Sequence, residues 1–151
     1  MTMHGQRGFR VTLTIVGVGY ALMAFSALAR GPDMLGDFGV SPSVYEDAVL
    51  RDVFMFFYEL MAWVGMLIVL LGHVARERST QLVVSSVLSA ANVLIALRDL
   101  STSDSSLGNH LYRGSKTLVF VDISVALALV FATLVVLTAR GAKSGPRPDE
   151  A

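Results

Sequence analysis

Residues 53–74 read VFMFFYELMAWVGMLIVLLGHV, an apolar run interrupted only by Glu59 and ended by Gly72, His73 and Arg76. At about 1.5 Å of rise per residue, a helix of this length crosses a hydrocarbon core about 30 Å thick. Lipid offers the main chain no hydrogen-bond partner, so a crossing segment must close its own bonds as a helix.

Three other stretches repeat the pattern. Val11 to Ala29 is framed by Arg7, Arg10 and Arg30; Leu82 to Leu97 is shorter and carries Ser85, Ser86, Ser89 and Asn92; Leu118 to Ala139 contains Asp122 and stops at Arg140-Gly141. The expected fold is therefore all-α: an integral membrane bundle of four transmembrane helices at about 11–29, 53–74, 82–100 and 118–139. Residues 1–140 form this membrane domain. The tail 141–151, with Pro146 and Pro148, reads as disordered.

Composition agrees. Of the 151 residues 54% are hydrophobic and only 16% charged, and the mean hydropathy is +0.62, too apolar for an ordinary soluble domain. Lys plus Arg equals Asp plus Glu at 12 each. No basic run is interleaved with aromatics, so nucleic acid is not an expected partner. There is no Cys, which removes disulfides, thiolate chemistry and Cys-ligated zinc or iron–sulfur clusters. His4, His73 and His110 are too scattered for a local metal motif. No cofactor is expected.

The first stretch has a rival reading. Arg7 and Arg10, an apolar run and Ala27-Leu28-Ala29 also resemble a secretory signal with its cleavage site. The apolar run continues to that site with no clear polar region before it, so the stretch is read as a span. Intact mass separates the two, since cleavage leaves a chain beginning at Arg30 with three spans.

Four spans place both termini on one side, together with the turn between spans two and three. Arg7, Arg10, Arg76, Arg78, Arg140, Lys143 and Arg147 lie there, against Arg30, Arg51, Arg98, Arg113 and Lys116 on the other side. The excess of basic residues assigns the first side, with both termini, to the cytoplasm of a bacterial inner membrane. The turn around Arg76 to Thr80 is short enough to set spans two and three as an antiparallel hairpin. In the first outer loop Gly31-Pro32-Asp33 breaks the helix. There Ser41-Pro42-Ser43 followed by Glu46 reads as the start of a short helix, either interfacial or continuing through Arg51 into span two. Ser101 to Ser106 reads as a polar loop.

Ionisable side chains inside a span cost about 2.5–3.5 kcal/mol each on insertion scales, so their depth is informative. Glu59 lies roughly 9 Å below the boundary at Asp52, and Asp122 roughly 9 Å below Lys116, on the same outer side. Asn92 reaches a similar depth, with Arg98 and Asp99 at the boundary. Helical spacing puts Asp52, Glu59, Met66 and His73 on one face of span two. Ser85, Ser89, Asn92 and Asp99 share a face of span three, and Ser115, Asp122 and Leu129 a face of span four. Thr12, Gly19 and Ser26 are in the same register in span one, where Gly17 and Ala21 permit close helix approach. If these faces turn inward, they enclose a polar pocket open to the outside, walled by Tyr20, Tyr58, Trp63 and Tyr112.

Each residue also has a purely structural reading. Glu59 serves equally as a protonated or Arg-paired carboxyl, and Asp122 as a capping or snorkelling group. Asn92 and Ser89 act as interhelical hydrogen bonds, Arg98 and Asp99 as boundary anchors, and Tyr58 and Trp63 as interface aromatics. Met55, Met61 and Met66 read as packing.

Three functions fit. The first is an accessory or assembly subunit whose polar groups contact partner helices or a second copy. The second is a cofactor-independent membrane enzyme in which Glu59 and Asp122 are the catalytic acid and base. Desolvation and mutual repulsion would hold one of them protonated. It would isomerise, cyclise or open an epoxide on a lipophilic substrate bound by Asp52, Ser89, Asn92, Arg98, Asp99, Tyr58 and Trp63. The third is a proton-coupled transporter, although small four-helix multidrug exporters carry their charged residue in the first span rather than the second.

Gly31-Pro32-Asp33, Phe38-Gly39-Val40 with Pro42, and Leu50-Arg51-Asp52 at the start of span two give a layout that resembles small bacterial four-helix proteins of the DoxX-like kind, over residues 10 to 140. The resemblance implies a four-span fold. Some such proteins are linked to redox or quinone-associated complexes; with no Cys here, it implies no thiol chemistry and no catalytic residue.

Overall fold

The computed structural model describes residues 3–31, 34–37, 46–102 and 115–140. They form five helices: α1 Met3–Arg30, α2 Met34–Asp37, α3 Ala48–Val74, α4 Arg78–Thr102 and α5 Ser115–Arg140. Four of them, α1, α3, α4 and α5, are long and apolar enough to cross a membrane, and the fold is an all-α four-helix bundle. Each expected span lies inside one of these helices. The tail 141–151 lies outside the described residues.

Local chemistry sets the ends. The Asp47 carboxylate caps α3, accepting from the backbone N–H groups of Val49 at 2.9 Å and Leu50 at 3.0 Å. A cap of this kind contributes about 1 kcal/mol. The helix runs unbroken through Arg51 into the span; the expected start at Ser41-Pro42-Ser43 lies outside the described residues. At the end of α1, Gly31 takes a φ of +70° and its N–H donates to the Ala27 carbonyl at 3.1 Å. This left-handed cap suits a residue without Cβ. Ser101 and Thr102, expected in a loop, form the last turn of α4.

The helices pack as two pairs, α1 with α3 and α4 with α5. The turn Ala75–Glu77 is as tight as expected, but it does not build a hairpin, because α3 and α4 do not pack along each other. Small residues decide this. A Cβ on Gly17 would stand 2.5 Å from the Gly65 carbonyl oxygen, and one on Gly72 would stand 2.9 Å from the Leu13 Cβ. Backbones that approach so closely gain dispersion energy that bulkier surfaces forfeit.

The pairs meet through α1 and α5. All four long helices contribute to a shared core toward the end that carries the short turn, here called the turn end. Phe9, Leu13, Ile68, Ala75, Phe131 and Leu134 are buried there, with Val84 and Leu88 of α4 packed against them. Polar bonds tie the same end. Gln6 donates to the Arg76 carbonyl at 3.3 Å and Gln81 to that of Ala75 at 2.8 Å. The Arg78 guanidinium donates to the carbonyls of Thr138 and Ala139 at 2.9 and 2.8 Å. It thereby meets the orphan acceptors and the negative dipole end of α5. The opposite, loop end holds Asp52, Arg98, Asp99 and Asp122, whereas His73 and Ser85 lie toward the turn end.

Candidate functional site

α3 shows two contrasting faces. Tyr58, Ala62, Gly65, Ile68 and Gly72 are buried, and this is the side that carries the glycines packed on α1. Glu59 follows Tyr58 by one residue, about 100° around the helix, and points away from that contact. Asp52, Glu59, Met66 and His73 do share a face, as their spacing implies, but all four are exposed. The expectation that this face lines the bundle interior is corrected. The glycines choose which side of α3 turns inward, and the acids stand on the other.

α5 behaves alike. Asp122 and Leu129 are exposed, whereas Ser124, Ala128 and Phe131 are buried. Ser115, the third member of the expected face, has no described side chain. Gly19 and Ser26 of α1 are exposed and Thr12 is partly buried. Glu59 and Asp122 therefore form no enclosed acid pair. Among the described residues no three His, Asp or Glu side chains stand close enough to share a metal ion.

Of the polar faces expected from spacing, that of α4 turns inward among the described residues. Ser85 and Asn92 are buried, Ser89 and Asp99 partly so. The Ser89 hydroxyl donates to the Ala128 carbonyl at 3.0 Å, a bond between α4 and α5. The Asn92 amide donates to Leu88 of its own helix at 2.8 Å. At the loop end Arg98 pairs with the partly buried Asp99 at 3.9 Å, and Arg51 with Asp52 at 3.6 Å in an exposed setting where such a pair contributes little. His73 sets Nδ1 at 2.9 Å from the Val69 carbonyl in the last turn of α3.

Two of the expected pocket walls, Tyr58 and Trp63, also separate; Tyr112 lies outside the described residues. Tyr58 is buried with its ring edge against Phe57, the centroids 5.7 Å apart. Trp63 is 63% exposed, among Phe56, Leu60, Leu67 and Leu70, which are exposed too. A cleft of about 250 Å³ does open between α4 and α5, but Val93, Ala96, Leu97, Leu100, Val121, Val125, Ala128 and Leu129 line it. Its wall is apolar, not acidic.

The sequence alone singles out neither Gln81 nor the glycines Gly65 and Gly72. Gln81 continues the Ser85, Ser89, Asn92 series by one more turn and is fully buried; the regular i, i+4 interval was the available signal. Gly65 and Gly72 were legible only as small residues, since nothing in their spacing names the helix they meet.

What results is an exposed carboxyl, Glu59, on the outward side of α3, with the exposed apolar side chains of Phe56, Leu60, Trp63 and Met66 around it. Comparison with known family models, with curated proteins and with solved structures returns no match for this chain.

Proposed function

We propose that this chain is a small multi-pass membrane protein that works as an accessory or assembly subunit, and that the outward face of α3 is its contact surface. Glu59 carries the reading. An exposed carboxyl about 9 Å inside the hydrocarbon boundary costs about 2.5–3.5 kcal/mol if lipid surrounds it. A partner helix with a donor or a basic group at that level removes the penalty, and the large side chains of Phe56, Trp63 and Met66 beside it supply packing area. The enzyme reading needs two carboxyls around one substrate, and the outward placement of Glu59 and Asp122 favours it less.

The excess of basic residues on the side of the termini and the short turn, seven against five, supports cytoplasmic termini. A second copy of the chain is an equally good occupant of the α3 face, and a lipophilic small molecule fits the apolar α4–α5 cleft.

The test is purification from native membranes in mild detergent. The wild type is expected to migrate as a complex of defined size, and Glu59→Leu to migrate as a single chain of unchanged helicity. Identical, monomeric migration of both forms would reject the proposal.

A further inference from the structure

The interior face of α4 holds an unusual excess of acceptors. Gln81 and Ser85 are 0% exposed and Asn92 is 6% exposed. Gln81 Oε1, Ser85 Oγ and Asn92 Oδ1 have no hydrogen-bond partner within the chain. The amide groups of the same Gln81 and Asn92 are engaged, on the carbonyls of Ala75 and Leu88. Those bonds fix which way each amide points and leave the oxygens without a donor. An orphaned buried polar atom is destabilising, and native interiors rarely keep several of them in one line.

The donor they need must be small, because no side chain of a partner reaches an atom that is fully covered. It must also be neutral, since Val84 and Leu88 of the same helix pack on the core of Phe9, Leu13 and Phe131, and an unpaired charge in so apolar an interior is costly. Water meets both conditions and satisfies several polar groups at once. Gln81 and Ser85 stand one helical turn apart on the same face, where side chains are neighbours.

We infer that α4 carries two internal water sites. One lies where the four helices converge and is held by Gln81 Oε1 and Ser85 Oγ. The other lies about 10 Å farther along the helix and is held by Asn92 Oδ1. Ser89 stands between them, its hydroxyl committed to Ala128. The seam is thus a hydrated polar strip inside an apolar bundle, and it stands independently of any partner on α3.

Water-edited solid-state NMR on the labelled wild-type protein in lipid bilayers tests this directly. The side-chain amides of Gln81 and Asn92 and the Ser85 β-carbon should receive water magnetisation faster than Val87 and Leu94, which sit on the same helix facing outward. Exposed Gln6 sets the fast limit. In Ser85→Ala, transfer to Gln81 should fall to the Leu94 level while transfer to Asn92 is retained. Transfer to Gln81 and Asn92 no faster than to Leu94 would overturn the inference, and unchanged transfer to Gln81 in Ser85→Ala would overturn the shared site.

Discussion

Gly17 of α1 and Gly65 of α3 face each other so closely that a Cβ built on Gly65 would lie 2.6 Å from the Gly17 carbonyl oxygen. That contact sets the rotation of α3, and with it the outward direction of Glu59. Gly65→Val should force the backbones apart and destabilise the fold by at least the 1–3 kcal/mol typical of overpacking. Gly19→Ala, at a glycine with nothing within 4 Å of an added Cβ, should change stability little and in the favourable direction of helix propensity. Unfolding in mixed micelles, followed by circular dichroism, measures both.

Arg78 joins the start of α4 to the end of α5 by two carbonyl contacts. Arg78→Met keeps much of the aliphatic stem and removes the donors. A loss of about 1–2 kcal/mol is expected from the charge-assisted bonds and the dipole together. Arg78→Lys should recover only part of it, because an ammonium cannot reproduce the planar fork. Thermal midpoints of the three proteins in one detergent decide the order.

Ser89→Ala deletes a hydrogen bond between α4 and α5 without altering packing volume much. Interhelical bonds of this kind contribute about 0.6 kcal/mol on average and reach about 1.7 kcal/mol. The expected effect is a small destabilisation within that range, read from the same unfolding curves. A neutral result would mean that Ala128 finds another donor.

Much of this architecture was legible from residues alone. Runs such as 53–74 require helices because lipid leaves the backbone no alternative. The interior face of α4 followed from Ser85, Ser89 and Asn92 at helical intervals. The faces of α3 and α5 did not follow. Asp52, Glu59 and Met66 were correctly placed on one side, yet the rule that membrane carboxyls turn inward gave the wrong sign. Periodicity states which residues share a face, whereas the identity of the face that packs depends on a neighbour. Here that neighbour is chosen by Gly17, Gly65 and Gly72, whose effect is shape rather than polarity. The short turn at Ala75 to Glu77 likewise fixed a sharp reversal but not the pairing, since a three-dimensional match between α1 and α3 outcompeted the covalent neighbour.

Trp63 lies one turn from Glu59 on the same exposed side, and its indole is large enough to anchor a contact. Trp63→Ala should weaken association while leaving the thermal midpoint of the isolated chain nearly unchanged. Gly65→Val should instead lower both. This split between binding and folding separates a contact residue from a packing residue.

The most direct test of the α3 interface is site-specific photocrosslinking in native membranes. A photoreactive residue replaces Trp63 or, as a control, Leu94, which is equally exposed at 66% on α4. Position 63 should give a discrete adduct of one mass that disappears when Glu59→Leu is added, and position 94 should give none. The mass tells a second copy from a different subunit. Equal labelling at both positions, or an adduct at 63 indifferent to Glu59→Leu, would contradict the account.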